Sequence, residues 1–340
     1  MLVFNNDYSV GCHEKVLEKI ISTNPEILGV YGDDKYSNSA REKIKELCDC
    51  PTAETWFLYG GTQTNQMAID LFLQPYEGVV SAATGHVAGH EAGAIEFSGH
   101  KVLTVPEHLG KVDAKEVDEY LDTFFSDGNK DHMVFPGMVY ISHPTEYGTL
   151  YTLDELTAIS EVCKKHNQKL FVDGARLGYA LATPSNDITL KDLARLTDAF
   201  YIGGTKCGAL CGEALIYPNG FPSHILTRVK QHGALPAKSR LFGVTFDALL
   251  TDNLYVDICK NALDCADKIR EELPKKGYKF FIDSPTNQIF IIMENTKLKE
   301  LEDKVLLSFW EKYDDNSTVI RIATSWATTM EDVEKLLEIL

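Results

Sequence analysis

The sequence predicts an α/β fold: a large domain over residues 1–250 built on a mostly parallel sheet, then a small α+β domain over residues 251–340. Three observations lead there. Between about residues 55 and 217, short apolar runs alternate with stretches of helical period, the pattern of strand–helix–strand crossovers. Polar, glycine-rich segments follow directly on several of those runs, and open α/β sheets hold ligands beyond the carboxyl ends of their strands. After about residue 250 the alternation gives way to helices and closely spaced strands, although no Pro/Gly/Ser linker marks the boundary.

Taken in order, residues 13–22 space their apolar side chains for an amphipathic helix. The Gly, Asp, Ser and Asn of 29–39 read as a loop, with a second helix over 40–47. TWFLY at 55–59 is expected as a strand and 63–73 as a helix. GVVSA at 78–82 is a short strand followed by a helix near Glu91, and KVLTV at 101–105 a strand followed by a helix over 114–125. GMVYIS at 137–142 and QKLFVD at 168–173 are strands joined by a helix over 153–165. EALIYP at 213–218 is another strand, and a long helical stretch runs from 244 to 272. YKFFID, QIFIIM and TVIRIA follow as strands, with helices near 297–311 and 330–339.

The composition, 44% apolar and 24% charged, suits a soluble globular chain with a sizeable core. A formal net charge of −17 argues against nucleic acid or an anionic membrane surface as partner. No stretch is long and apolar enough to span a bilayer. The eight cysteines show no paired CxxC spacing, so no metal site is expected, and they read as reduced, buried small hydrophobes. The chain starts without a basic segment followed by an apolar one, so the expected location is cytoplasmic.

Two segments carry the chemistry. LFVDGARLG places Asp173 and Arg176 just after an apolar run, and AFYIGGTKCG places Lys206 just after another. A carboxylate and a lysine at the ends of neighbouring strands suit pyridoxal 5'-phosphate, which needs a lysine for its Schiff base and an acid to keep its ring nitrogen protonated. Gly203, Gly204, Thr205 and Gly208 leave room for a flat cofactor around the lysine, and a crowded turn eases its deprotonation. Arg176 can bind a carboxylate through its planar fork, or pair with Asp173 or another nearby acid. In YGGTQTN, Gly60 and Gly61 lead from a strand into a helix whose free N–H groups, with the Thr62 hydroxyl, suit a phosphate; an ordinary strand-to-helix turn reads the same way.

HVAGHEAG sets His86 and His90 four apart with Glu91 beside the second, but not as the H-E-x-x-H helix of a zinc site. A cofactor-facing imidazole is the better reading of His86, while His90 reads as structural. Arg321 is the lone charge in the apolar run TVIRIA, which a substrate carboxylate or a structural ion pair explains equally.

Together these residues resemble the threonine aldolase family, within the fold-type-I pyridoxal-phosphate enzymes related to β-eliminating lyases. The resemblance runs from about Phe4 to Val333. It implies the fold of those enzymes and retro-aldol cleavage of L-threonine or L-allo-threonine to glycine and an aldehyde. VDGARL implies Asp173 on the pyridine nitrogen and Arg176 near cofactor or substrate oxygens. GGTK implies Lys206 as the Schiff-base lysine, with Thr205 before it. GGTQTN implies Gly61, Thr62 and Gln63 on the phosphate, and HVAGHEAGA implies His86 stacked on the ring and moving protons. RIATSWATT implies Arg321 on the substrate carboxylate.

Three departures stand out. Asn6-Asp7-Tyr8 replaces the family's Ser-Asp-Thr, which moves a carboxylate contact to Asn6; Gly-Gly-Thr replaces Ser-x-Ser before the lysine; and HPTEYGTLY, with His143, only loosely resembles a Thr-His segment. The resemblance also implies a homodimer or homotetramer, in which Lys230 and Arg240 would reach a phosphate across the interface or else lie on a solvated helix face. Two other readings stay open: an eliminating lyase or aminotransferase using the same cofactor, and a phosphate- or nucleotide-binding regulatory module without catalysis.

Overall fold

The computed structural model describes all 340 residues. The chain opens on a two-residue strand, β1 (Leu2–Val3). A seven-stranded sheet follows, made of β2 (Glu54–Leu58), β3 (Glu77–Ala82), β4 (Val102–Val105), β5 (Phe135–Ser142), β6 (Lys169–Asp173), β7 (Ala199–Gly203) and β8 (Glu213–Tyr217). Its order is β2-β8-β7-β6-β5-β3-β4. All neighbours from β7 to β4 pair in parallel, and β8 runs antiparallel between β2 and β7. Two antiparallel steps restore the direction of β2, so its carboxyl end lies on the same edge as those of β6 and β7.

The sheet is covered on both faces, which is why its strands read as nearly continuous apolar runs. The two-residue period sorts each strand between two cores. Val139 and Ile141, Leu170 and Val172, and Phe200 and Ile202 enter the larger core. Met138 and Tyr140, Phe171, and Ala199 and Tyr201 enter the other. By that alternation Asp173, two residues beyond Phe171, emerges on the face of Tyr140 and Tyr201.

The C-terminal part forms a second, antiparallel sheet from β9 (Lys279–Ile282), β10 (Gln288–Glu294), β12 (Ser308–Lys312) and β13 (Ser317–Ala323), in the order β12-β13-β10-β9. The remaining strand, β11 (Val305–Leu306), pairs in parallel with β1. Phe4 is buried in the core of this second unit, so the first residues of the chain pack with its last hundred. The expected boundary at residue 250 falls just after the helix Arg240–Leu249.

Several elements differ from the sequence expectation. The helix expected near 297–311 stops at Leu301, and Ser308–Lys312 is a strand. Its Trp310 ring packs at 4.9 Å on Phe290 and 5.3 Å on Tyr147, aromatic contacts that a pleated surface provides. The helical stretch 244–272 is two helices, Arg240–Leu249 and Leu254–Glu272; Asp252 and Asn253 between them take left-handed backbone angles, which Asp and Asn tolerate. The second helix of the chain starts at Lys35 because Asp34 caps it, accepting from the Tyr36 and Ser37 N–H groups. Near Glu91 there are two one-turn helices, His86–Gly89 and Ala94–Phe97, with Glu91 between them.

The ends of β6 and β7 meet backbone to backbone. Gly203 N donates to Gly174 O at 3.0 Å. A Cβ on Gly174 would lie 1.8 Å from the Tyr201 carbonyl oxygen, and one on Gly203 would lie 2.5 Å from the carbonyls of Gly174 and Ala175. Only glycine allows this approach. Gly174→Ala is therefore expected to destabilise the chain by about 3 kcal/mol through overpacking, read as a lower urea midpoint in equilibrium unfolding. An unchanged midpoint would contradict the close approach.

Candidate active site

Asp173 is buried at the end of β6, and its carboxylate is saturated by donors. Oδ1 accepts from Tyr201 Oη at 2.5 Å and Ala175 N at 2.9 Å; Oδ2 accepts from Tyr140 Oη at 2.6 Å and Asn65 Nδ2 at 2.9 Å. Burial pushes its pKa up, but the His86 charge and the two phenol donors outweigh that and hold it below the ordinary carboxylate range. The two phenols are correspondingly pushed well up, first by burial and then by the Asp173 charge. The group is thus a standing negative charge at the sheet edge.

Lys206 follows β7 in a turn whose backbone is held from below. Tyr255 Oη donates to Gly203 O at 2.8 Å, Tyr179 Oη donates to Lys206 O at 2.7 Å, and Gly204 N donates to Glu213 Oε2 at 2.7 Å. Burial raises the Glu213 carboxyl to about 7. The Lys206 ammonium has no ion pair or hydrogen bond of its own, and it lies 6.0 Å from the centroid of the Tyr8 ring. Burial, and then the Arg176 charge, push its pKa down, which favours the neutral amine. Thr205 Oγ1 accepts from Gly212 N at 3.2 Å and so braces the same turn.

Beside Asp173 runs a line of polar groups. Asn65 Nδ2, which donates to Asp173, also lies 2.7 Å from Glu91 Oε1, and that oxygen is 2.8 Å from His86 Nδ1. Burial lowers the His86 pKa, but the Glu91 hydrogen bond and the charges of Asp173 and Glu146 raise it further, for a net increase. Asn65 sits on the helix Gly61–Phe72, which has no side-chain N-cap. Its first bond closes from Thr64 N to Gly60 O, so the N–H groups of Gly61, Thr62 and Gln63 precede the ladder and suit an anion. The Gln63 side chain turns back and accepts from Tyr59 N at 3.1 Å, and Thr62 is exposed.

Two arginines reach the site from distant parts of the sequence. Arg176 grips Asp7 with Nε–Oδ2 at 2.7 Å and Nη2–Oδ1 at 3.0 Å, so most of its fork is taken by an acid 169 positions away. Asn287 Nδ2 also donates to Asp7 at 3.0 Å. Arg321, on β13, has no acid partner at all. Its Nη1 donates to Gln288 Oε1 at 2.9 Å, its Nη2 donates to Asn5 O at 3.1 Å, and its buried Nε has no acceptor. Burial and the Arg176 charge lower its pKa to about 10. A half-buried guanidinium in this state is short of an anion.

These groups line two adjoining cavities. The inner one, about 30 Å³, includes Gly61, Asn65, Asp173, Tyr201 and Ser142; the outer one, about 340 Å³, includes Tyr8, His90, Trp310 and Arg321. His86, Glu146, Arg176 and Lys206 line both. The structure thus brings together Gly61, His86, Asp173, Arg176, Lys206 and Arg321 from the sequence-predicted set. It does not bring Asn6, Thr62, Gln63 or Thr205 to the cavity walls. Asn6 Oδ1 is used locally, accepting from Tyr8 N and Ser9 Oγ, and its neighbour Asp7 is the residue that reaches the site.

His143 is also elsewhere, with Nε2 3.0 Å from Asn186 Oδ1, and burial pushes its pKa down to about 4. Arg240 is spent on the carbonyls of Thr23 and Glu26, and the exposed Lys230 lies 5.2 Å from the Tyr31 ring. Sequence reasoning missed Asp7, Asn65, Tyr140, Glu146, Tyr201, Trp310 and the supporting Glu213. The visible signal was the occurrence of Asp7 and Glu146 inside segments already singled out, NNDY and HPTEYGTLY.

The Asp7–Arg176 pair yields a stability prediction. Burial alone would raise Asp7, but Arg176 and Lys206 hold its carboxyl at about 2 against an ordinary 3.8. A depressed folded-state pKa contributes stability that is present above about pH 4 and lost as pH falls toward 2, on the order of 2 kcal/mol. Asp7→Asn, which strands the Arg176 charge, is expected to cost roughly 3 kcal/mol near neutral pH. It should also flatten the fall in unfolding free energy between pH 4 and 2, measured by urea titration across pH; an unchanged slope there contradicts the assignment.

Comparison with known proteins identifies the family of the chain. Residues 28–295 match the family described as beta-eliminating lyase. The low specificity L-threonine aldolase of Pseudomonas sp. (strain NCIMB 10558) is 31% identical over 319 residues, covering 90% of this chain and 87% of that protein. A solved structure of Leishmania major threonine aldolase superposes with a TM-score of 0.96 at 41% identity, over 100% of this chain and 98% of that one. An aspartate aminotransferase double mutant of Thermus thermophilus, at 16% identity, covers 100% of this chain and 92% of that one with a TM-score of 0.74, a likeness of fold alone. With four-fifths of its length matched and the polar sheet edge in place, the chain belongs to the beta-eliminating lyase family.

Proposed function

We propose that the chain binds pyridoxal 5'-phosphate and cleaves a β-hydroxy-α-amino acid, L-threonine or L-allo-threonine, to glycine and an aldehyde. The observation that carries this is a half-buried Lys206 without an ion-pair or hydrogen-bond partner, sharing a cavity with the ionised Asp173. The residues fit the cofactor. Lys206 is the amine for its Schiff base, and Asp173 is a permanent anion for its ring nitrogen. His86 is the ring to lie against it, and the backbone N–H groups at the start of the helix, led by Gly61 on the cavity wall, are the donors for its phosphate. When bound, pyridoxal phosphate supplies the sink for the electron pair of the broken bond.

The protein's own groups do the rest. The unpaired Arg321 would take the substrate carboxylate, and Arg176, with Asp7 fixing its fork, would have Nη1 left for a second contact. Anchoring the carboxylate orients Cα and so selects the bond that breaks. Glu91 holds His86 by Nδ1, which leaves Nε2 for a proton or an ordered water. The amino acid class of the substrate is supported by the relatives named above. A homodimer or homotetramer belongs to the same proposal; Tyr8 and Phe309, 54% and 69% exposed at the outer cavity, support it.

The purified chain with pyridoxal phosphate should show a visible absorbance that Lys206→Ala abolishes. It should release glycine and an aldehyde from L-threonine, L-allo-threonine or phenylserine. Pyruvate and ammonia from serine, with no aldehyde from any of these, would place it among eliminating enzymes instead. A chain that takes up no pyridoxal phosphate sinks the reading. Arg321→Ala should raise KM roughly ten- to a hundredfold, the worth of charge-assisted hydrogen bonds to a carboxylate.

A further inference from the structure

Glu146 is the only carboxyl group lining the outer cavity, and it also lines the inner one. It lies in the loop after β5, four residues beyond Ser142, which pairs across the sheet with Asp173. Ser142 Oγ donates to Glu146 Oε1 at 3.0 Å. Neither oxygen is in an ion pair, although Arg176, Arg321 and Lys206 all share the outer cavity with it. The side chain is thus a buried acid, with one oxygen held by Ser142 and no side-chain donor on the other. It lines the same cavity as Lys206 and Arg321.

We propose that Glu146 is the catalytic base that takes the proton of the substrate's β-hydroxyl as the Cα–Cβ bond breaks. This rests on the aldolase reading above. The O–H pair becomes the second bond of the aldehyde carbonyl, the Cα–Cβ pair stays with the amino acid fragment, and a proton then reaches Cα. One proton leaves oxygen and one arrives at carbon, so glycine and aldehyde balance the substrate.

The electrostatics agree. Burial raises the Glu146 pKa; the His86 charge and the Ser142 hydrogen bond oppose this, and the Asp173 charge adds to it. The cations Arg176, Arg321 and Lys206 and the phenols Tyr140 and Tyr151 also surround it. A carboxylate raised toward the working pH is a stronger base than an ordinary one. His86, whose pKa is raised by its own acid neighbours, is shifted toward the protonated form and is the poorer acceptor.

The test is Glu146→Gln in the holoenzyme. Expected is a fall in kcat of about a hundred- to a thousandfold on L-threonine and L-allo-threonine, with KM within about threefold. A raised carboxyl must lose its proton before it can act, so the wild-type acid limb of kcat/KM lies above the ordinary carboxylate range, and it should vanish in the variant. Glycine has no β-oxygen, so its affinity, measured by calorimetry, should change by less than about twofold. Ser142→Ala, which removes a donor to the carboxylate, should move the acid limb to higher pH rather than delete it, and decides the matter if the glutamine variant does not fold.

A glutamine variant with kcat near wild type, or one changed only in KM, overturns the proposal; the latter would make Glu146 a counter-ion for the arginines. An acid limb unmoved in Ser142→Ala overturns it too. Failure of the wild-type enzyme to cleave any β-hydroxy amino acid would count against the aldolase reading instead.

Discussion

A carboxylate can stay ionised inside a protein only if donors meet its lone pairs, and Asp173 shows what that demands of the surrounding fold. Its donors come from four places: a phenol on β5, a phenol on β7, an amide on the helix after β2, and the backbone just beyond β6. All must arrive at one point. The parallel run β7-β6-β5 brings the two phenols alongside, and the return of β2 past antiparallel β8 puts its helix on the same edge. The sheet order thus follows the needs of one buried charge as closely as it follows the packing of its two cores.

The same charge organises its neighbours. Asn65 answers both Asp173 and Glu91, and Glu91 in turn fixes the His86 ring, so acid, helix and imidazole form one connected set. Lys206 lies beyond hydrogen-bond reach of that acid, and its amine is left unpaired. Arg176 is balanced by Asp7, while Arg321 is left without an acid. In a chain with a net charge of −17, a half-buried cation without an anion is an exception to the general composition. It is a local demand for a negatively charged ligand group, and the overall acidity says nothing about it.

Much of the fold was legible because local patterns encode it. The strands of the large sheet are apolar on both faces, and turns punctuate them, so their positions followed from hydrophobic runs alone. The failures have local causes too. LLSFWEKY is apolar enough to continue a helix, but its pairing with β13 and the packing of Trp310 on Phe290 and Tyr147 hold it as a strand. The 244–272 stretch lacks a proline or glycine, so the break at Asp252 and Asn253 was hidden in residues that tolerate left-handed angles. The early start at Lys35 hung on one capping carboxylate, Asp34.

The sequence by itself determined that an acid, a lysine and a glycine-led helix start stand at strand ends, since each lies directly after its own apolar run and needs no distant partner to be recognised. Only the tertiary structure decided which charges are paired. Asp7 and Arg176 are 169 positions apart, and Arg321 reaches back to Asn5, so whether either arginine is free could not be read from spacing. Glu146 looked like one polar residue in a loop until the fold placed it between the two cavities. Periodicity reports which face a residue takes; the partner it meets there depends on how distant segments close around it.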